Sequence, residues 1–257
     1  MRTNTTAGGT RVFTPGEPPA DARIRLFLFA HAGSGAAVYR GWKKLLPDGV
    51  GAQAITLPGR QNRRTEPLAT DWVELVDDLH AAVVDTLDDR PFAFFGHCLG
   101  AQLAYRVAVA LEENGDPTPE LIGVSGWAPH GFFKAPKDHH LIPRREMVDW
   151  IINLGAIPAE LRADEDMLDI VLPPVISDFQ IAAQYIDDDA PISAELVSYG
   201  GSADSLQEDP AAMTSWLTRT SNYLGHTVFP GGHFYINDQA PAVAADFARH
   251  LTRAMTR

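Results

Sequence analysis

The chain contains one cysteine, and it stands in a pattern suited to nucleophilic chemistry. Cys98 lies at the centre of Gly96–Gly100 (G-H-C-L-G), at the end of the apolar run Phe92–His97 and before a stretch of small residues. A strand that turns into a helix through two such glycines is typical of a nucleophile elbow. The start of the following helix also favours a thiolate. We therefore predict Cys98 as the nucleophile; a buried structural cysteine is the alternative.

A cysteine nucleophile needs a base, and one of the nine histidines is well placed to be that base. His233 lies in the glycine-rich segment 229–235 (F-P-G-G-H-F-Y), after the last predicted strand and before the last predicted helix. We predict that His233 takes the proton of the thiol. The histidines that we consider less well placed are His97 in the elbow, His226 at a strand start, and His139 and His140 in a helical insertion.

The acid that orients the base should follow a strand between the nucleophile and the base. Asp204 meets this condition, because it closes a glycine-rich loop after the apolar run Ala194–Tyr199. Glu208 and Asp209 are the nearby alternatives, and they stand where they can cap the helix that follows. The predicted chain order is nucleophile, acid and then base.

A second glycine-rich loop is placed to bind a developing negative charge. It spans residues 29–35 (F-A-H-A-G-S-G) after the first long apolar run, where backbone N–H groups can face a ligand. We predict the N–H groups of Ala32 and Leu99 as the oxyanion donors, with Gly33 as the alternative to Ala32. His31 and Gly33 are predicted to bind the substrate. A loop built for packing alone is the competing interpretation.

The elements that must position these residues alternate along the chain. Short apolar runs of strand length are separated by helical patterns, which predicts an α/β fold with a mostly parallel central sheet flanked by helices. The predicted strands are Ile24–Ala30, Ala52–Leu57, Phe92–His97, Leu121–Trp127, Ala194–Tyr199 and His226–Phe229. The predicted helices between and after them are Trp72–Leu87, Ala101–Asn114, Pro210–Thr220 and Ala240–Met255.

One stretch, residues 129–189, interrupts this alternation. It holds amphipathic helical segments at Arg144–Leu154 and Leu172–Tyr185 and no convincing strand. We predict a helical lid inserted over the carboxyl edge of the sheet, where it would shape a substrate pocket. A helical extension that only stabilises the sheet is the alternative.

The composition limits the kinds of partner and the number of domains. A chain of 257 residues fits one α/β domain, which we place at residues 21–257 behind a flexible lead-in at residues 1–20. The net charge of −12 argues against nucleic acid and anionic membranes as partners. A single cysteine rules out an intramolecular disulfide and a cysteine-rich zinc site, and we predict no metal. No signal peptide or membrane-length apolar run is recognisable, so we expect a cytoplasmic protein.

Together these motifs resemble the stand-alone type II thioesterases of polyketide and nonribosomal peptide assembly lines, which belong to the α/β-hydrolase superfamily. The resemblance covers nearly the whole chain from about residue 24. The segments that carry it are Leu28–Ala36, Leu57–Arg64, Phe94–Gly100, Val124–His130, Leu154–Leu161, Leu172–Tyr185, Tyr199–Asp204 and Gly231–Tyr235. The loop H-A-G, the segment P-G-R and the ending G-G-H-F, in this order, are the specific part.

This resemblance implies an α/β-hydrolase fold with a lid and a defined substrate class. Such enzymes take an acyl group carried as a thioester on the phosphopantetheine arm of an acyl or peptidyl carrier protein, and they hydrolyse it. They need no cofactor of their own. By motif position, Cys98, Asp204 and His233 take the triad roles, and Ala32 and Leu99 take the oxyanion roles.

The chain departs from the family at two positions. The family elbow holds serine where this chain has Cys98, and the lid segment usually carries a basic residue where this chain has Ile176. An acyl-cysteine remains an activated thioester, so an acyltransferase or cyclase that uses a non-water acceptor is the alternative to hydrolysis. A serine replaced by design to trap an intermediate is another interpretation of the cysteine.

Three further hypotheses concern the surface and the class of protein. Arg60, Arg63 and Arg64 are expected either to contact an acidic carrier domain or to form a solvated charged loop. A carrier-binding protein without catalysis would explain the fold, but the retained acid, base and oxyanion loops argue against it. An esterase acting on free esters is disfavoured by the H-A-G and P-G-R segments.

Overall fold

The computed structural model describes residues 12–132 and 142–255. Its centre is a seven-stranded sheet in the order β1-β3-β2-β4-β5-β6-β7, in which only β1 runs antiparallel to its neighbour. The strands are β1 (Phe13–Thr14), β2 (Ile24–Phe29), β3 (Val50–Ile55), β4 (Phe92–His97), β5 (Leu121–Ser125), β6 (Glu195–Gly201) and β7 (Tyr223–Phe229). The α/β-hydrolase fold predicted from the sequence is confirmed.

Six α-helices accompany the sheet in the described part of the chain. They are α1 (Trp72–Thr86), α2 (Leu99–Asn114), α3 (Arg144–Asn153), α4 (Glu165–Ala182), the single turn α5 (Tyr235–Asp238) and α6 (Ala240–Ala254). No helix among the described residues is long and apolar enough to cross a membrane.

The central strands are apolar on both faces because helices cover both faces. Phe27 and Phe94 face the layer of α1 and α2, where their rings meet edge-on with centroids 5.8 Å apart. Phe95 faces the other layer, where its ring packs against Trp42 and against Phe247 of α6. The sheet is therefore held between two apolar layers, and its strand ends are fixed in space.

The carboxyl ends of four parallel strands bring the predicted site residues to one edge. Cys98 follows β4, and the loop that contains Ala32 follows the neighbouring strand β2. Asp204 follows β6, and His233 follows the adjacent strand β7. Residues far apart in sequence thus meet because parallel strands present the same end to one edge.

All six predicted strands are present, with ends shifted by a few residues, but the predicted lead-in is wrong for its last part. Phe13 lies in β1, opposite Ile55, and its buried ring packs against Phe27 at 5.3 Å between centroids. An apolar side chain at the sheet edge holds this segment in place. Residues 1–11 of the predicted lead-in lie outside the described residues. The helix predicted at Pro210–Thr220 is instead a 3-10 helix at Ala212–Thr218.

The lid insertion between β5 and β6 contains α3 and α4, which pack together through their own apolar cluster (Met147, Val148, Ile151, Leu168, Leu172 and Val175). The helix predicted to start at Leu172 begins earlier, at Glu165, because the carboxylate of Asp164 caps it by accepting from Met167 N–H at 3.0 Å. His139 and His140, predicted to lie in the lid, fall outside the described residues.

Candidate active site

Cys98 occupies the tight turn between β4 and α2. Its backbone has φ +55° and ψ −120°, a conformation that costs free energy for any residue other than glycine. A Cβ atom on Gly96 would lie 2.1 Å from the Gly100 carbonyl oxygen, and one on Gly100 would lie 2.1 Å from the Phe29 carbonyl oxygen. Only glycine fits at these two positions. The strained turn holds Cys98 at the edge of the sheet, where it is partly exposed.

His233 is buried and is held by Asp204. Its Nδ1 donates to Asp204 Oδ2 at 2.9 Å, while Asp204 Oδ1 accepts from the Leu206 N–H at 2.9 Å. With the proton fixed on Nδ1, Nε2 is left as the atom that can accept a proton. Among the described residues, Nε2 has no hydrogen-bond partner of ordinary geometry. His233 and Cys98 line the same pocket.

Negative charge around His233 favours its protonated form. Burial alone lowers the pKa of His233, but the Cys98 thiolate and the Asp204 carboxylate outweigh burial and raise this pKa to about 10. The surroundings of His233 therefore stabilise the imidazolium that forms when its Nε2 takes a proton. This is what a general base beside a nucleophile needs.

The two predicted oxyanion donors belong to residues that line the same pocket as Cys98. Ala32 and Leu99 both line the pocket beside Cys98, and neither N–H has an acceptor within residues 12–132 and 142–255. Gly33, the alternative donor, is wrong for this role because its N–H already donates to Asp178 Oδ2 at 2.7 Å. Two backbone N–H groups that lack an acceptor among the described residues and belong to the lining of one pocket are suited to bind the oxygen of a tetrahedral intermediate.

The pocket is a cavity of about 100 Å³ with a mainly apolar wall. Its aromatic side chains are Trp127, Phe132, Phe179 and Tyr185. The lid helix α4 contributes Phe179 and Ala182, so the predicted position of the lid over the site is confirmed for this helix. Such a wall suits the apolar part of an acyl group.

The substrate contacts predicted for His31 and Gly33 are not found in this pocket. His31 is buried, and its Nδ1 donates to the Ala32 carbonyl oxygen at 3.1 Å. Its ring meets Phe234 edge-on, with centroids 4.8 Å apart, and it lines a second cavity behind the elbow. Gly33 is engaged by Asp178. Both residues therefore make contacts inside the protein that hold the conformation of the oxyanion loop.

His97, the second elbow residue, belongs to a buried polar chain that sequence reasoning missed. Its Nδ1 lies 2.8 Å from Ser125 Oγ, which in turn lies 2.6 Å from the Tyr235 hydroxyl. Burial, reinforced by the nearby His233 and His31, holds the pKa of His97 well below its usual value. His97 therefore stays neutral and packs with its ring centroid 5.1 Å from that of His233.

Two of the arginines considered for carrier docking are engaged inside the chain, so that prediction is wrong for them. Arg60 is buried in an ion pair with Asp178. Arg63 pairs with Glu66, with 2.6 Å between Nη2 and Oε2. A guanidinium that already satisfies an internal carboxylate has little charge to offer a partner. Arg64 is exposed, and its role stays a prediction.

One group of side chains in the described residues has the spacing of metal ligands, but an arginine fills it. His130, Asp187 and Asp189 bring one ligand atom each within 4.8 Å of one another. The guanidinium of Arg219 lies among them and hydrogen-bonds both carboxylates. The cluster is therefore an ion-pair network at the lid boundary.

The buried His31 makes folding sensitive to acid. Burial is the main reason why the pKa of His31 falls from 6.5 to about 4. Below about pH 6.5 the unfolded chain takes up a proton on His31, while the folded chain keeps His31 neutral until about pH 4. The free energy of unfolding is therefore highest above pH 6.5 and falls as the pH drops towards 4. We expect the unfolding free energy to fall by about 2 kcal/mol from pH 7 to pH 5 on this account.

Urea unfolding at pH 7 and pH 5 checks this expectation. The His31→Gln variant should lose less unfolding free energy between the two pH values than the wild type loses. His130→Gln, which replaces an exposed histidine, should behave as the wild type does. An unchanged pH dependence in His31→Gln would show that other buried groups, such as His97, cause the acid sensitivity.

The fold and the site together define an α/β-hydrolase with a cysteine at the nucleophile elbow. Residues 24–251 match the thioesterase domain family, and the chain belongs to this family. It is 34% identical to the linear gramicidin dehydrogenase LgrE of Brevibacillus parabrevis over 88% of this chain and 87% of the relative. It is 30% identical to the thioesterase PikA5 of Streptomyces venezuelae over 91% and 83%.

Solved structures agree with this assignment. The type II thioesterase BorB from the borrelidin biosynthetic cluster superposes with a TM-score of 0.80 and 27% identity, covering 91% of this chain and 95% of that chain. The family resemblance seen in the sequence is thereby confirmed at the level of a thioesterase domain.

Proposed function

We propose that the protein hydrolyses acyl groups from the phosphopantetheine arm of an acyl or peptidyl carrier protein, in editing or product release. The observation that carries the proposal is the shared pocket of Cys98 and His233, with His233 held by Asp204 at 2.9 Å. Membership of the thioesterase domain family supports thioester chemistry. The similarity to PikA5 and BorB supports a carrier-bound substrate.

In the first half of this mechanism, His233 Nε2 takes the thiol proton of Cys98 and the sulfur attacks the thioester carbonyl carbon. The carbonyl electron pair moves to oxygen, where the N–H groups of Ala32 and Leu99 bind it. The intermediate collapses, the bond to the phosphopantetheine sulfur breaks, and that sulfur receives the proton from His233. Asp204 keeps the imidazole in the tautomer that this transfer needs.

In the second half, water replaces the carrier thiol. His233 removes a proton from water, the oxygen attacks the acyl-Cys98 carbonyl carbon, and the same two N–H groups bind the oxyanion. The bond between carbon and Sγ then breaks, the free acid leaves, and the proton on His233 returns to sulfur. Apart from water, no co-reactant is required.

A second candidate function is transfer of the acyl group to an amine, alcohol or thiol, including a group on the acyl chain itself. The observation that favours it is the sulfur of Cys98. Passing an acyl group from one thioester to another is close to thermoneutral, so the acyl-enzyme keeps the reactivity of the substrate. An amine can then compete with water for the same intermediate.

Intact-mass analysis with an acyl-loaded carrier protein tests the proposal. The wild type should gain the mass of the acyl group, and Cys98→Ala should not. Free acid should accumulate with the wild type, and parallel reactions with added amines or alcohols should reveal any transfer product. Turnover by Cys98→Ala would refute the covalent mechanism.

One further reaction mixture contains NADPH, because the relative LgrE is named a dehydrogenase. The proposal predicts the same free acid with and without NADPH. An aldehyde or alcohol formed only in its presence would assign the protein to reductive release instead.

A further inference from the structure

The lid helix α4 carries a carboxylate that is completely buried. Asp178 Oδ2 accepts from Arg60 Nη1 at 2.6 Å and from the Gly33 N–H at 2.7 Å, and its Oδ1 accepts from Arg60 Nη2 at 2.7 Å. A buried carboxylate is costly unless it is paired, and a two-pronged guanidinium contact also sets its direction. The lid is therefore joined to the oxyanion loop by directional polar contacts as well as by apolar packing.

These contacts fix both peptide groups that flank Ala32. The His31 carbonyl oxygen accepts from Ser34 N–H at 3.1 Å and from Ser34 Oγ at 2.7 Å. In a trans peptide the carbonyl and the N–H point in opposite directions, so the Ala32 N–H points away from Ser34. On the other side, Asp178 holds the N–H of Gly33.

Arg60 connects the oxyanion loop with the lid helix. Its Nη1 donates to the Ser34 carbonyl oxygen at 3.1 Å as well as to Asp178. The guanidinium is buried, so solvent does not compete for these contacts. Loop, arginine and lid helix form one unit around Ala32.

We propose that Asp178 is a positioning residue, which acts from the lid helix to hold the Ala32 N–H where it binds the oxyanion. The proposal rests on the function proposed above for Cys98 and Ala32. Asp178 touches no reacting atom, and its effect passes through the Gly33 peptide. Because the neighbouring residue Phe179 lines the acyl pocket, the same helix turn shapes the acyl site and orients the oxyanion donor.

The Asp178→Asn variant tests the proposal by comparing two reactions of the same sulfur. Acylation by a carrier thioester forms an oxyanion, whereas alkylation by iodoacetamide displaces iodide and forms none. We expect the acylation rate to fall by about 10²-fold, the scale of losing one oxyanion donor, while the alkylation rate stays within about threefold of the wild type. The KM for the acyl carrier should change far less than kcat.

Ser177→Ala is the matched control. Ser177 is the buried neighbour of Asp178, and its Oγ donates to the Ala69 carbonyl oxygen at 2.6 Å, away from the oxyanion loop. Its replacement removes a buried hydrogen bond of the same lid helix that does not involve the oxyanion loop. We expect the acylation and alkylation rates of this variant to stay near those of the wild type. Arg60→Lys provides a second variant, because lysine keeps the positive charge but cannot bind both carboxylate oxygens with a planar fork. We expect a smaller fall in this variant, confined to acylation.

If acylation and alkylation fall equally in both Asp178→Asn and Arg60→Lys, Asp178 only stabilises the folded structure, and the proposal is overturned. Unchanged acylation in both variants would overturn it as well. Either outcome, together with an inactive Cys98→Ala variant, leaves the proposed function standing. Thioester hydrolysis by Cys98→Ala would instead refute the proposed function itself.

Discussion

Replacing Cys98 or His233 with alanine is expected to lower kcat/KM for an acyl-carrier thioester by roughly 10⁴-fold in each case, and the double replacement should cost little more. A loss of 10⁴ corresponds to about 5.5 kcal/mol of transition-state stabilisation. The two losses should not add, because the sulfur is a poor nucleophile without the base and the base has no function without the sulfur. The rate acceleration that remains in these variants comes from the pocket and the oxyanion donors.

Steady-state kinetics of the two single variants and the double variant form the cycle that measures this coupling. His226→Ala is the control, because His226 lies on β7, four residues before the loop of His233, and hydrogen-bonds Ser198 Oγ at 3.0 Å. It should retain nearly all activity if folding is intact. Strict additivity of the two alanine effects would contradict a nucleophile and base that act as a unit.

Alkylation by iodoacetamide separates the role of His233 from that of the pocket. His233→Ala removes the imidazole that interacts with the sulfur, so the alkylation rate at pH 7 should fall together with acylation. This pattern differs from that expected for Asp178→Asn, in which acylation falls and alkylation does not. The two variants therefore distinguish activation of the nucleophile from stabilisation of the oxyanion.

Much of this site was predictable because its signals are local in the sequence. The elbow around Cys98 is a contiguous strand, turn and helix start. Its two glycines are required because a Cβ atom at either position would lie 2.1 Å from a backbone oxygen, within the turn or at the end of β2. Asp204 and His233 were predicted from their positions after successive strands, and the parallel sheet brings such positions together. The structure places the two in contact at 2.9 Å.

The parts that sequence reasoning missed depend on contacts between distant segments. Arg60 and Asp178 are 118 positions apart, and a run such as P-G-R equally suggests an exposed basic patch. One signal was present: Asp178 is the only charged residue in the predicted helical segment Leu172–Tyr185, and a buried acid must find a partner. Nothing in a single sequence identifies which arginine that partner is.

Two elements were mispredicted for reasons of length and backbone chemistry. β1 has only two residues, which is too short for a periodic pattern, and the buried ring of Phe13 is what secures it. The predicted start of α4 at Leu172 is too late, and Pro173 and Pro174 lie inside the helix. The capping carboxylate of Asp164 was the better signal.

Cys98→Ser should change the fate of the acyl group more than its loading. With serine the intermediate is an oxygen ester, which is less reactive towards amines and thiols than the acyl-cysteine thioester. We expect the ratio of amide to free acid, measured by mass spectrometry with a small amine present, to fall at least about tenfold in Cys98→Ser. A ratio is independent of the overall rate, so a slower serine enzyme does not obscure the result.

Reversal of loading gives a second measure of the same difference. Added phosphopantetheine thiol should remove the acyl group from Cys98 and regenerate the thioester, while the acyl-serine of the variant should resist it. His226→Ala, with the sulfur in place, should give the wild-type product ratio. If serine and cysteine give the same ratio, the pocket around Trp127 and Phe179 decides which acceptor reaches the carbonyl carbon, and the sulfur has no part in that choice.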